Sequence, residues 1–315
     1  RTAERAGVEI EVGRTVHSCA DGSVTTTGAA GPTTVQAGAV MLAAGVRERP
    51  RAARLVPGDR PAGVLTTGAL QQFAALHHQR VGTRAVIVGA EHVSFSAVLT
   101  LAHGGCTVAA MVTPLPRHQT YAPLRVATAA RHRVPIHTGV AVAEIVGGAR
   151  VEAVVLSDGR RIECDTVVFT GDWVPDHELA RLSGLPLLPG ARSPVVDSGG
   201  HTERRGVFAI GNLTHPAETA DVCALDGRRA ATHVMDWLTL QRWPASVTPI
   251  AVEPPILWAT HAAGSITLRV AEFVEGRIEC RAGDEIVHRT KHRQWTPNRA
   301  LHLPVVTATS ICMSR

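Results

Sequence analysis

The chain has 315 residues, of which 45% are hydrophobic and only 3% aromatic, with a formal charge of +5 and a pI of 9.2. That length suits two domains with a small appendage, and cores rich in Val, Ala and Leu suit parallel sheets covered by helices. No apolar run approaches the ~18 residues of a membrane span, and the arginines are scattered with no Lys/Arg block of five, so membrane and nucleic-acid roles are set aside. No charged-then-apolar leader follows Arg1, and a cytoplasmic location is expected. Cys19, Cys106, Cys164, Cys223, Cys280 and Cys312 stand singly. Without CxxC spacing they read as reduced thiols rather than a dithiol, iron–sulfur or zinc centre, and the histidines form no metal-ligand pattern.

In chain order, RTAERAG reads as the last turn of a helix with a glycine stop. VEIEVG at Val8–Gly13 alternates as a strand, Asp21-Gly22 marks a hairpin, and AVMLAAG at Ala39–Gly45 is an apolar strand running into glycine. RAVIVGA at Arg84–Ala90, a helical spacing over His92–His103, the breaker Gly104-Gly105 and the strand CTVAAMVT follow in the order of a Rossmann opening. VPIHTG at Val134–Gly139, a turn at Asp158-Gly159 and DTVVFTG at Asp165–Gly171 then repeat the earlier series. RGVFAIGN at Arg205–Asn212 is one more buried strand. A helix is expected from about Thr219 to Leu238, with Ala220, Ala224 and Gly227 on its sheet-facing side. Trp243-Pro244 to Pro254-Pro255 reads as a linker, and SITLRVAEFV, RIECRA and DEIVHRT as a small antiparallel module.

Val8 and Val134 are 126 residues apart, and so are Gly45 and Gly171. Two copies of one unit are therefore expected, and only the second is preceded by strand–glycine loop–helix. By symmetry the first would begin with such a segment upstream of Arg1, unless the chain is a naturally shortened variant. The fold class is α/β: two Rossmann-like dinucleotide-binding domains, the first incomplete, each with a three-stranded antiparallel meander, plus a small C-terminal β module. The expected division is 1–80 with 171–248, then 81–170, then 249–315. Val207–Ile210 should pair with Val40–Ala43.

Four segments carry a family resemblance: Ala43–Gln72, Val88–Gly105, Phe169–Leu185 and Gly206–Ala231. They resemble the pyridine-nucleotide-disulfide oxidoreductase flavoproteins. More narrowly, they are similar to the large subunits of hydrogen cyanide synthase and opine oxidase and the equivalent part of heteromeric sarcosine oxidase. The resemblance implies that Ala44, Gly45, Gly211, Asn212, Thr219 and Ala220 approach FAD. Glycine allows close backbone approach, and a helix N-terminus favours a phosphate. The family's first GxGxxG is absent from the chain, so FAD is expected in the full-length protein and held weakly by this chain alone. The second is degenerate. Gly89 keeps the tight turn, but Glu91 and Ser94 replace the other two glycines, putting a carboxylate where a pyrophosphate passes. NAD(P) is therefore not expected.

The resemblance implies an FAD-dependent oxidoreductase subunit that oxidises a C–N bond in a small-molecule amine, such as an amino acid or opine, and passes electrons to a second oxidase subunit. A non-catalytic scaffold subunit and an NAD(P)H:acceptor reductase are the alternatives. His215 and Glu218, before the Thr219 helix, are candidate catalytic bases or helix caps.

Overall fold

A computed structural model describes residues 2–20, 22–262, 264–304 and 307–314. The expected turn residue Asp21 lies outside the described residues. The chain opens with a one-turn helix α1 (Thr2–Arg5) that stops at Gly7 in the left-handed region, φ +78°. Strands β1 (Thr15–Ala20), β2 (Ser23–Gly28) and β3 (Gly31–Gln36) form an antiparallel meander. Val8–Gly13 is not a strand, contrary to its alternation. No strand pairs with it among the described residues, and Val12 is 87% exposed. A period of two sets which face a strand shows, but it takes a neighbour's hydrogen bonds to make the strand.

Next come β4 (Val40–Leu42), β5 (Val46–Glu48), β6 (Val64–Thr66) and the short helix α2 (Thr67–Gln71). The second half of the repeat supplies β7 (Arg84–Val88), α3 (His92–His103), β8 (Thr107–Thr113), α4 (Ala122–Arg125) and β9 (Ile136–Thr138). A second meander follows, β10 (Val142–Gly147), β11 (Val151–Leu156) and β12 (Arg161–Glu163), and then β13 (Thr166–Phe169). The turn after β11 forms as its Asp158-Gly159 dipeptide requires, with Gly159 N–H on Leu156 O.

The main sheet is parallel throughout, in the order β6-β13-β7-β8-β9. Its central strands β7 and β13 are buried along most of their length because helices and the meander cover both faces. Phe95, Ala97, Val98 and Leu101 of α3 pack under Ile87, Met111 and Val168 on one side. Ile145, Val154 and Leu156 of the meander meet Val86, Val112 and Phe169 on the other. The expected boundary at residue 80 moves, because β6 hydrogen-bonds to β13 and so belongs to this second sheet. Its three residues, VLT, run straight into a helix, too short a stretch to show a period.

The chain then returns through β14 (Trp173–Pro175), α5 (Glu178–Leu182), β15 (Val207–Ala209) and the 21-residue α6 (Ala220–Leu240). β14 pairs with β5, and β15 lies parallel to β4, with Val207 opposite Val40 and Ala209 opposite Leu42. Residues on both sides of the inserted Rossmann unit therefore pair in two small two-stranded sheets. On α6 the buried face carries Asp226 and Ala230, while Ala220 and Ala224 lie outward, a correction to the expected small-residue face.

The C-terminal module holds β16 (Ala251–Val252), β17 (Ile256–Ala262), β18 (Ser265–Val270), β19 (Val274–Ala282), β20 (Glu285–Arg289), β21 (Arg293–Trp295), β22 (Leu301–Leu303) and β23 (Ser310–Ser314). Two sheets close over a core of Ile266, Leu268, Ile278, Cys280 and Trp295. Its last two strands carried no clear sequence signal.

Candidate functional site

Three strands end in glycine turns and define the candidate site: the parallel pair β4 into Ala44-Gly45 and β15 into Gly211, and, in the main sheet, β7 into Gly89. In open parallel sheets ligands bind beyond the C-terminal ends of the strands.

At the first two ends, Gly45 adopts φ +77° with nothing within 4 Å of where a Cβ would stand, while its carbonyl accepts the Asp176 N–H at 2.9 Å. Gly211 also takes a left-handed φ, +66°, but its N–H is already used, donating to the Asp226 carboxylate at 2.6 Å. Asn212 is turned inward too. Its Nδ2 donates to Glu218 O at 3.1 Å and its Oδ1 accepts from Glu218 N–H at 2.7 Å, a reciprocal brace across the loop. Thr219 is the N-cap of α6 by backbone geometry, with no side-chain cap hydrogen bond, and Thr219 and Ala220 are exposed. A cavity of about 300 Å³ lies beside Ala44, walled by Val16, Val24, Met41, Leu42, Leu179 and Leu213.

Of the two candidate bases, His215 is wholly buried, with Nε2 3.1 Å from Asp226 Oδ2. Glu218 is nearly buried, and His302 of the C-terminal module approaches it at 3.7 Å. The structure thus brings His215 and Glu218 onto one loop but gives His215 no open path to a ligand. Asp226, which holds the loop through Gly211 and His215, was missed in sequence. Its only signal is a carboxylate on the inner face of an otherwise amphipathic helix.

The third end is built differently. Gly89 takes φ +140°, and a Cβ there would stand 1.9 Å from Thr170 Oγ1. Glu91, at the N-terminus of α3, folds its carboxylate back so that Oε2 accepts the Ala90 N–H at 3.1 Å. Ser94 is fully buried and hydrogen-bonds Thr170 Oγ1 at 2.6 Å. The Ala90 amide, beside the positive end of α3, is therefore taken by the chain's own carboxylate, although Glu91 makes no cap bond to the helix.

Arg54 reaches in to donate to Thr170 O and Gly171 O, at 2.9 and 2.8 Å, and stacks over Phe169. Burial lowers its pKa, offset by Asp172, Glu91 and Glu48. Glu48 accepts the Gly68 N–H at 2.9 Å, and burial raises its pKa. Arg269, from β18, is almost wholly buried, and burial brings its pKa down to about 10 despite Glu218 and Glu91 nearby. Buried charges of both signs thus converge where the two units and the module meet.

This doubled arrangement of strand ends has a counterpart among known proteins: residues 2–235 match the model of the pyridine nucleotide-disulphide oxidoreductases. The chain belongs to that family. Among curated relatives, the chlorobenzene dioxygenase ferredoxin reductase component of Cupriavidus sp. (strain PS12) is 31% identical over 150 residues, 45% of this chain and 33% of that protein. The benzene 1,2-dioxygenase system ferredoxin–NAD(+) reductase subunit of Pseudomonas putida is 28% identical over 276 residues, 78% of this chain and 65% of that protein. The chain thus spans a third to about two thirds of these two relatives' lengths. Among solved structures, T. acidophilum thioredoxin reductase superposes with a TM-score of 0.60 at 20% identity, covering 74% of this chain and 77% of that one. The ferredoxin reductase of the CYP199A2 system from Rhodopseudomonas palustris gives 0.54 at 24%, covering 82% and 64%.

These likenesses carry the family fold. These curated relatives are ferredoxin reductases, and the narrower expected likeness to hydrogen cyanide synthase, opine oxidase or sarcosine oxidase subunits is not among them, a correction to the sequence reading. No helix among the described residues is long and apolar enough to cross a membrane.

Proposed function

We propose that this chain serves an FAD-dependent oxidoreductase that takes a hydride from a small-molecule donor and passes electrons to a separate protein. The observation that carries the reading is the shared exit of β4 and β15 beside the N-terminus of α6, within the family fold. The residues there fit a flavin dinucleotide in part. Ala44 and Gly45 leave room beside the strand end, and exposed Thr219 and Ala220 open the helix whose positive end faces solvent there, although Asp221 already takes up first-turn amides. Gly211 and Asn212 are already bonded within the protein and shape the loop rather than hold the ligand. Bound flavin would supply hydride acceptance and one-electron release. The protein's part is to orient it and exclude water with the apolar wall of Leu42, Leu179 and Leu213. His215 acts as framework, since Asp226 already engages its ring, and the Glu218 carboxylate faces His302 of the C-terminal module.

The donor follows from the second crevice. With the Glu91 carboxylate on Ala90 N–H, a dinucleotide pyrophosphate would meet like charge in place of a free amide. This favours a donor other than NAD(P)H, and the C–N bond of an amine, drawn from the sequence resemblance, remains the substrate class to try. The names of the relatives favour a second reading, a nicotinamide-linked reductase of a ferredoxin. FAD titration of the purified chain, followed by anaerobic mixing with NADH or with amino acids and opines, separates the two. Flavin bleaching by an amine but not by NADH supports the first reading, and the reverse supports the second. A chain that takes up no FAD would overturn the enzyme reading in favour of a scaffold subunit.

A further inference from the structure

The entrance of the second crevice is crossed by a strap that the C-terminal module holds in place. Residues 114–121 leave β8 at Thr113 and turn back to the glycine loop, where Gln119 N–H donates to Ala90 O at 2.9 Å. Tyr121 then lies edge-on to His92, the first residue of α3, with ring centres 4.7 Å apart. Gln119 and Thr120 are buried. The strap therefore runs across the strand ends where a ligand of a doubly wound sheet would enter.

Its outer side is gripped by the module. Arg299 donates through Nε to Gln119 O and through Nη2 to Thr120 O, and its guanidinium lies 4.2 Å from the centre of the Tyr121 ring. From the strap's side, Arg117 lies 4.2 Å over the Phe273 ring. The same stretch of the module reaches the other site. His302, on β22, stands 3.7 Å from Glu218, and Arg269, on β18, donates to Ala217 O at 2.9 Å. One small β module thus touches both ligand-facing loops. Guanidinium bonds to carbonyls, made while the cation stacks on an aromatic ring, are the stronger kind of polar contact.

The geometry points to a clasp: anchored on the loop before α6, the module holds strap 114–121 shut across the second crevice, and release of Arg299 opens that entrance, to a dinucleotide once the Glu91 carboxylate is also removed. The inference rests on the proposed function only in reading Glu91 as the group that keeps a dinucleotide from the Gly89 loop. A closed entrance lowers apparent affinity by the fraction of molecules that are open.

The test uses the whole chain with NADH as probe. Amide hydrogen exchange over residues 114–121 is compared in the parent and in Arg299→Ala. NADH affinity is compared within two pairs, parent against Arg299→Ala and Glu91→Gly against Glu91→Gly/Arg299→Ala. We expect exchange at Gln119 to rise about tenfold while β7 and β13 stay protected. We also expect NADH to bind about tenfold tighter when Arg299→Ala is added to Glu91→Gly. Unchanged exchange, or no gain in affinity in either pair, overturns the clasp. Arg117→Ala, at an exposed position, gives a smaller change of the same sign and guards against a folding defect in the Arg299 variant. Tight NADH binding by the parent would overturn the proposed donor without touching the clasp, which is read only as a ratio within each pair.

Discussion

At Gly89 the backbone conformation and the crowding act together. With φ at +140° and Thr170 Oγ1 1.9 Å from the place of a Cβ, an added methyl has neither the conformation nor the room it needs. Gly89→Ala is expected to cost about 2–3 kcal/mol, read by urea unfolding, through strain and overpacking. A wild-type midpoint in that variant would mean the loop relaxes freely. Asp226 is the second pivotal residue. It takes the Gly211 N–H at 2.6 Å and faces His215 Nε2 at 3.1 Å in a buried setting. Asp226→Ala leaves both groups without their acceptor and should destabilise by about 2–4 kcal/mol. Asp226→Asn keeps one acceptor oxygen and should lose clearly less. Equal losses in the two variants would show that packing, not hydrogen bonding, is Asp226's contribution.

Between elements, the docking of β22 on the loop before α6 depends on protonation of His302. The Glu218 carboxylate beside it raises its pKa, against burial and the Arg269 charge, which lower it, while Thr267 Oγ1 sits 3.1 Å from Nδ1. A histidine raised in the folded state stabilises fully below its ordinary value of about 6.5 and loses that stabilisation as pH climbs through the higher folded value. Melting temperature should therefore fall between pH 6 and pH 8 more steeply in the wild type than in His302→Gln. Parallel slopes would remove His302 from the account. The side chain is about half exposed, so solvent screening keeps the effect small.

Elements were also where sequence reading worked best and failed most plainly. The repeat offset, the two meanders and the return strand β15 on β4 were legible, because apolar runs ending in glycine report buried parallel strands. The strand expected at Val8–Gly13 and the place of β6 were not, since pairing partners leave no trace in a short segment's own pattern. At the site, Glu91 was legible as a carboxylate standing at a glycine position, but not as one folded back onto the Ala90 N–H. That depends on a side-chain rotamer rather than on spacing. The inward turn of Asn212 was hidden for the same reason.

On the scale of the whole molecule, the C-terminal module stands on its own core, with Trp295 buried at its centre and its Nε1–H on Gly276 O at 2.9 Å. Trp295→Ala should cost the module about 3–5 kcal/mol. Near-ultraviolet circular dichroism and hydrogen exchange should then show β17–β23 loosening before the parallel sheet does. Simultaneous loss of both would mean the module and the Rossmann units unfold as one. The comparison would measure how tightly Arg269, Arg299 and His302 tie the module to the two units.

The Glu91 carboxylate on Ala90 N–H has one more consequence. Proteins whose folds are completed by a nucleotide grow more stable as its concentration rises, by RT ln(1 + [L]/Kd). Here the anion beside the helix end is covalently part of the chain and is never diluted. The chain's thermal stability should then be indifferent to added oxidised or reduced nicotinamide dinucleotide. A melting temperature that climbs with millimolar NADH in the wild type would contradict this. A climb seen only in Glu91→Gly would show the carboxylate acting as a built-in substitute for the nutrient-dependent ligand.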